Sequence, residues 1–332
     1  MSYCDRIVSF LRFALFSAHK AASLNGDVIF ATSTPLTIAL PGIYASICKQ
    51  IPMVFEVRDL WPELPIAVGI LKSPISIKAA RLLERAAYRF SRHVVALSPG
   101  MKDGIVKTGY PQEKVTVIPN SCDLDLFDVP KLYGNEFRSK YEWLGDRPLV
   151  TYAGTLGLIN GVDYLVYIAK RVLEYDPDIR FLVVGQGKEE RKIRETADAL
   201  GILNKNFFMI PAIPKREIPY VLSATDITTS LFIDLKEMWA NSANKFFDSL
   251  AAGKPIAINY EGWQADLLKR TGAGIVLDPV NIDQSAKKIL QAIKNREWMG
   301  KAGLAAKKLA HEEFSRDMLA KSLATVLKSA VN

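Results

Sequence analysis

The sequence predicts an α/β protein built from two Rossmann-like, doubly wound domains. Three observations predict it: short β-branched runs alternate with amphipathic helical stretches, the alternation breaks off and restarts near mid-chain, and several runs end in glycine or proline. A length of 332 residues suits about two domains, 49% hydrophobic residues is ample for two cores, and 23% charged residues leaves little room for long disorder. No low-complexity tract or fixed-period repeat occurs.

The chain opens on a helix-like stretch, 3–23, where Phe10, Phe13 and Phe16 stand with Arg6 and Arg12; it suits either a core helix or an apolar foot on a membrane. D-V-I-F-A then reads as a strand ending in the turn-rich T-S-T-P, followed by the strands P-M-V-F-E-V, R-H-V-V-A-L-S and K-V-T-V-I-P-N. Helices over 75–91 and 99–108 fill the gaps, giving the βαβ rhythm of a parallel sheet. The stretch 125–147, with K-L-Y-G-N and W-L-G-D-R-P, reads as an interdomain linker holding one short helix. P-L-V-T-Y-A-G-T-L, D-I-R-F-L-V-V-G-Q-G, N-F-F-M-I-P-A, D-I-T-T-S-L-F, K-P-I-A-I-N-Y and A-G-I-V-L-D-P supply six more strands with helices between. Open α/β sheets bind ligands at the carboxyl ends of their strands, and two facing domains predict a cleft.

A net charge of +8 and a pI near 9.2 point to an anionic partner: a nucleotide, a lipid headgroup or nucleic acid. Nucleic acid is disfavoured, because no recognition-helix pattern, zinc finger or aromatic RNA motif occurs. Cys4, Cys48 and Cys122 are scattered and odd in number, as are His19, His93 and His311, so neither a disulfide framework nor a metal site is expected and a reducing cytoplasm fits. The start M-S-Y-C-D-R-I-V-S-F-L-R makes no convincing secretory signal, and no span of ~20 uninterrupted apolar residues occurs, so membrane contact is expected to be peripheral.

The segment N-S-A-N-K-F-F-D-S-L-A-A-G-K-P, 241–255, says most about chemistry. Asn241, Ser242 and Asn244 are good N-cap residues, Phe246, Phe247, Leu250 and Ala251 recur at helical spacing, and Gly253 with Pro255 ends the helix. First-turn N–H groups lack partners inside a helix and the macrodipole adds positive charge, so a diphosphate suits this start, with Lys245 adding a full charge. One turn on, Asp248 is placed to accept two sugar hydroxyls. The plainer alternative is an ordinary capped amphipathic helix whose Lys245 and Asp248 are solvated.

Arg58, Asp59 and Glu63 follow a strand end, where Asp59 suits orientation or deprotonation of an acceptor hydroxyl and Arg58 a phosphate; the alternative is an internal salt bridge fixing the loop. Lys78, Arg81, Arg85, Arg89 and Arg92 fall within roughly 80° of arc on a helix at 100° per residue, with Leu82, Leu83, Ala86 and Phe90 on the other side. Such a stripe attracts an anionic leaflet at about 1 kcal/mol per residue, or is simply a solvated face.

In order, E-V-R-D-L-W-P-E, V-V-A-L-S-P-G-M-K-D, V-I-P-N-S-C-D-L-D-L-F, Y-A-G-T-L-G-L-I-N-G-V-D-Y-L, V-V-G-Q-G and N-K-F-F-D-S-L-A-A-G-K-P resemble glycosyltransferase family 4, most of all bacterial O-antigen and colanic-acid type sugar transferases. The resemblance implies a GT-B architecture with an acceptor-side domain at 1–135, a nucleotide-sugar domain at 136–310 and a returning terminal helix at 311–332. It implies transfer with retention, usually without metal or cofactor, from a nucleoside diphosphate sugar. Gly154, Thr155, Gly185 and Gly187 would then lie beside the diphosphate, and Asp248 would match the second glutamate of the family's paired-glutamate motif and hold the ribose.

Three departures from that pattern stand out. Ala240 occupies the place of the first glutamate, and Thr155 and Asn160 stand where many relatives carry arginine and lysine, so stabilisation of the leaving diphosphate is expected to fall to Lys245, Asn244 and the helix start. Roughly two or three amino-terminal β/α units of ~30 residues each are absent relative to the family, which predicts a bare sheet edge or apolar face and a truncated chain or a second chain completing the domain. The expected function is transfer to a lipid-linked saccharide at the inner face of the plasma membrane; the alternative is a non-catalytic nucleotide-binding relative or subunit.

Overall fold

The computed structural model describes residues 3–332; the side chains of residues 3–7 and 11, Cys4 and Arg6 among them, lie outside the described residues. The chain folds as two compact units, one of Met1–Pro119 with Ala240–Ser242 and Asp317–Asn332, the other of Asn120–Trp239 with Ala243–Arg316.

The first unit is a four-stranded parallel sheet in the order β1-β2-β3-β4, with β1 Ile29–Thr32, β2 Met53–Val57, β3 His93–Ala96 and β4 Val115–Val117. All four expected strands form, each shorter than its apolar run because the ends turn into loops. Side chains alternate across the sheet, so Met53, Phe55, Val94 and Ala96 share one core with Tyr88, Met101 and Ile105. Val54 and Val95 face the other way, onto Val326 and Ala330 of the terminal helix Arg316–Val331. β1 ends the sheet, with no strand beyond it among the described residues.

Two expectations need correction here. In the helix Tyr3–Ser23, Phe13 and Phe16 are 55% and 78% exposed, so among the described side chains this is no core helix. In the helix Pro74–Arg89 the buried residues are Glu84, Ala87 and Tyr88; of the apolar residues placed opposite the cations, Leu83 packs against the core, while Leu82 and, at the C-cap, Phe90 are 59% and 49% exposed. The Tyr88 hydroxyl donates to Glu84 Oε1 at 3.2 Å, which lets the carboxyl enter the interior beside Leu83, itself packed against the core.

The second unit is a six-stranded parallel sheet in the order β10-β9-β8-β5-β6-β7, with β5 Leu149–Ala153, β6 Arg180–Val184, β7 Phe207–Ile210, β8 Ile227–Ser230, β9 Ile256–Ile258 and β10 Gly274–Val276. From β5 the chain winds one way to β7, then returns to β8 and winds the other way. The strand order therefore reverses between β5 and β8, where open sheets of this kind bind ligands. Both faces are covered: Val150, Tyr152, Phe181 and Val183 lie in one core, Leu149, Leu182 and Val184 in the other.

The stretch 125–147 is not a linker. Its helix Lys131–Ser139 packs on the helix Ile218–Ala224, with Tyr133 stacked on Tyr220 at 4.3 Å and Trp143 stacked on Phe208 at 3.8 Å. The Gly134 N–H donates to Ser223 Oγ at 3.1 Å, and a Cβ at Gly134 would lie 2.7 Å from the Ser223 backbone. Its glycines and aspartates signal turns, but its aromatic rings carry the packing energy. The expected boundary at 135/136 consequently falls inside a helix of the second unit, and the change of unit lies at Pro119/Asn120.

Candidate active site

Lys245 sits at the β5/β8 reversal point. It belongs to the helix Asn244–Ala251, anchored by Phe246 and Phe247, both fully buried and meeting edge to face at 5.5 Å between ring centres. Each such ring contributes ~1.5–3 kcal/mol by burial, so the helix start is held by packing. Ala243 occupies the N-cap position and supplies no side-chain hydrogen bond, Asn244 is the first helical residue and is exposed, and Asn241 and Ser242 are buried and belong to the first unit. The expected N-cap at Asn241, Ser242 or Asn244 is therefore corrected: the helix begins at Asn244 and Ala243 holds the cap position.

The Lys245 ammonium lies 5.0 Å from the ring centre of Tyr152 on β5 and 5.5 Å from that of Phe232, two residues past the end of β8. A cation over two π faces is attracted by their quadrupoles without being neutralised. It makes no ion pair among the described residues, and burial pushes its pKa down to about 8, with Asp248 opposing the shift. Asp248 is pushed up to about 6, chiefly by burial; Lys215, Arg316 and Lys245 pull it down and Asp123 pushes it up. Arg316 itself pairs with Asp123. An underneutralised lysine and a partly buried carboxylate, three residues apart, make a site that gains by accepting an anion and hydroxyls.

The glycines explain how Lys245 reaches this place. A Cβ on Gly154 would lie 3.0 Å from Lys245 Cε, so the absent side chain makes the lysine's room. Gly185 lies against Gly154, where an added Cβ would be 1.9 Å from the Gly154 carbonyl oxygen, and one on Gly187 would be 2.2 Å from that of Leu156. The two later glycines thus let the loops after β5 and β6 close on each other. Gly154, Thr155, Gly185 and Gln186 line a cavity of about 260 Å³, completed by Ala212, Ile213 and Ile218. Thr155 is exposed, its carbonyl accepting the Tyr152 hydroxyl at 2.8 Å, whereas Asn160 is buried and its Oδ1 accepts the Gly157 N–H at 3.3 Å. Tyr152, Phe232, Lys215 and the apolar cavity wall went unmarked in the sequence; the tyrosine two residues before Gly154 was the available signal.

In the first unit Asp59 follows β2. Burial raises its pKa, opposed by the Thr34 hydroxyl, which donates to Asp59 Oδ2 at 3.0 Å, and by the Arg58 charge. Arg58 pairs with Glu56 at 3.6 Å and its N–H donates to Ser33 Oγ at 2.9 Å, while the exposed Glu63 lies 4.0 Å from Arg81. The structure thus gathers Arg58 and Asp59 with Ser33 and Thr34 of the T-S-T-P turn, and assigns Glu63 to the neighbouring helix. Ala240, where the family pattern has a glutamate, also belongs to this unit, its carbonyl accepting the Ser98 hydroxyl at 2.6 Å. Among the described residues no group of His, Cys, Asp and Glu could hold a metal, and no helix is long and apolar enough to cross a membrane.

A reversed-order parallel sheet carrying paired glycine loops and one lysine at its carboxyl edge defines a doubly wound α/β protein with a polar site on the second unit. Residues 135–309 match the profile of the glycosyl transferases group 1, and the chain belongs to that family. Residues 5–121 match the glycosyl transferase 4-like domain. YtcC of Bacillus subtilis is 24% identical over 72% of this chain, which spans 60% of that relative's length. The GDP-mannose-dependent alpha-(1-6)-phosphatidylinositol monomannoside mannosyltransferase of Mycobacterium tuberculosis is 21% identical over 91% of this chain and 75% of its own. The crystal structure of Anabaena HepE in complex with UDP and glucose superposes with a TM-score of 0.79, covering 95% of this chain and 81% of its own at 18% identity, so the fold class is that of the GT-B enzymes.

Proposed function

We propose that this chain is a retaining glycosyltransferase that moves a sugar from a nucleoside diphosphate, UDP or GDP, to a lipid-linked saccharide during synthesis of a surface polysaccharide such as O-antigen, capsule or exopolysaccharide. The observation that carries the reading is Lys245, without an ion pair among the described residues and set over Tyr152 and Phe232 beside Gly154 at the strand-order reversal. As the anomeric C–O bond breaks, its electron pair goes to the diphosphate, and Lys245 with the first-turn amides meets the growing charge. Asp248 accepts ribose hydroxyls, the 260 Å³ cavity takes an apolar, stacking part of the donor, and Asp59, its pKa raised, takes the acceptor proton. HepE was crystallised with UDP and glucose, and the Mycobacterium relative is named for a phosphatidylinositol-borne acceptor, which supports both donor and acceptor classes. Lys78, Arg81, Arg85, Arg89 and Arg92 would hold the protein peripherally at the inner face of the plasma membrane.

A second reading is a nucleotide-binding subunit that needs a partner chain, favoured by β1 having no strand beyond it among the described residues and by the exposed Phe13 and Phe16. Assaying nucleoside diphosphate release from donor sugars with membranes carrying lipid-linked acceptors decides between them. Release dependent on acceptor supports the first reading; calorimetric binding of nucleoside diphosphate without release by the purified chain supports the second.

The proposal also sets a pH window. Lys245 must be protonated, which holds below about 8, and Asp248 ionised, which holds above about 6. Since kcat/KM reports the free enzyme, it should be highest between those values, falling on the acid side as Asp248 protonates and on the alkaline side as Lys245 loses its charge. A profile flat across and beyond that window would remove both groups from the mechanism.

A further inference from the structure

The first unit carries a second cationic site, far from Asp59. A cavity of about 390 Å³ is lined by Arg85 and Arg89 from the helix Pro74–Arg89, by Lys114 just before β4, and by Tyr88, Tyr110 and Gly109. Tyr88 and Tyr110, both buried with ring centres 6.2 Å apart, form its floor, and the Tyr110 hydroxyl donates to the Ser91 carbonyl at 3.1 Å. The three cations come from two separate segments, and none of them makes an ion pair among the described residues. The nearest carboxyl on the helix, Glu84, is turned inward against Tyr88, where burial and the Glu63 charge push its pKa up to about 7, so it neutralises the rim poorly. Glu113, next to Lys114, is exposed.

The surroundings indicate where the anion comes from. On the same helix Ile75 and Leu82, and at its C-cap Phe90, are exposed, and at 100° per residue they lie in the arc bordering Lys78, Arg85 and Arg89. A soluble anion needs only the cations; apolar side chains beside them suit the boundary between headgroups and acyl chains. Three cations without an ion pair among the described residues suit a phosphate carrying about two charges better than a phosphodiester carrying one. The cavity opens at the amino ends of β3 and β4, whereas Asp59 follows the carboxyl end of β2, and the strands are parallel, so ~15 Å of strand separates them.

We propose that this cavity is a docking site for a dianionic lipid phosphate, a monoester or diphosphate headgroup, distinct from the place where the acceptor reacts. The proposal rests on the membrane reading above and adds headgroup selectivity to it.

Co-sedimentation of the full chain with phosphatidylcholine vesicles containing phosphatidic acid or phosphatidylglycerol, matched in surface charge, tests it. Partition onto the phosphatidic acid vesicles should be stronger by about tenfold, a little over the attraction of one extra basic residue near a charged leaflet. Lys114→Gln should erase that preference, while Lys78→Gln, on the stripe outside the cavity, should weaken binding to both vesicles alike. Equal partition of the wild type onto both overturns the cavity and leaves the peripheral-membrane reading standing; partition onto neither overturns that reading too. Tight binding of inorganic phosphate without vesicles, lost in Lys114→Gln, would assign the cavity to a soluble anion and overturn the lipid source.

Discussion

Lys245→Ala is expected to lower kcat by ~100-fold or more while leaving the fold intact. The size follows from losing one preorganised charge aimed at a developing one, which costs about 10²–10³ in rate in sites of this kind. The loss should be concentrated in kcat, because the diphosphate carries more charge in the transition state than in the bound donor and Lys245 meets the difference. Folding should survive, since Lys245 makes no ion pair among the described residues, its removal relieves a desolvated charge, and Phe246 and Phe247 anchor the helix. Lys245→Met, keeping the stem over Tyr152 and Phe232, separates charge from packing and should be as slow as the alanine variant. Single-turnover rates with saturating donor, beside an unchanged melting temperature, are the measurement. Full-rate transfer by either variant would mean that the charge serves some other purpose.

Much of this fold was legible because buried parallel strands are written as apolar β-branched runs. V-I-F-A, V-F-E-V and F-L-V-V could be read from composition alone, as could the glycine, Gly185, that ends the last of them. What was not legible depends on which residues meet. Tyr152 and Phe232 flank Lys245 only because β5 and β8 become neighbours after the chain has gone out to β7 and returned. On the helix Pro74–Arg89 the exposed cationic stripe was legible, but the burial of Glu84 and Tyr88 was not, since apolar counting has no knowledge that they satisfy each other inside. Asn241 and Ser242 looked like caps because polar residues before an apolar run usually are, but the helix begins only at Asn244, which leaves the cap position to Ala243.

The glycines give the second large expected effect. Gly154, Gly185 and Gly187 were assigned to the diphosphate by resemblance, yet the close approaches at Gly185 and Gly187 are to backbone. The Gly154 N–H donates to the Val184 carbonyl at 2.9 Å and the Gly185 N–H to that of Ile210 at 3.2 Å, so the carboxyl ends of β5, β6 and β7 are tied in one row. Gly185→Ala places a methyl carbon 1.9 Å from the Gly154 oxygen, and the atom it meets is backbone, unable to swing aside. The loop after β5 must move outward by more than ~1 Å, breaking the row and taking Gly154 from beside Lys245. Such overpacking costs ~1–3 kcal/mol of stability. Nucleoside diphosphate binding should fall further, by ~100-fold, because misplacement of about 1 Å is enough for that loss in a preorganised site. Gly300→Ala is the control: nothing lies within 4 Å of its added Cβ on the exposed face of the helix Arg296–Glu312, and it should gain ~0.5–1 kcal/mol. Calorimetry with UDP and GDP, paired with thermal melts, reads both. If Gly185→Ala bound nucleotide as the wild type does, the packed glycine row would be uncoupled from the site, and the link from Gly185 through Gly154 to Lys245 would have to be abandoned.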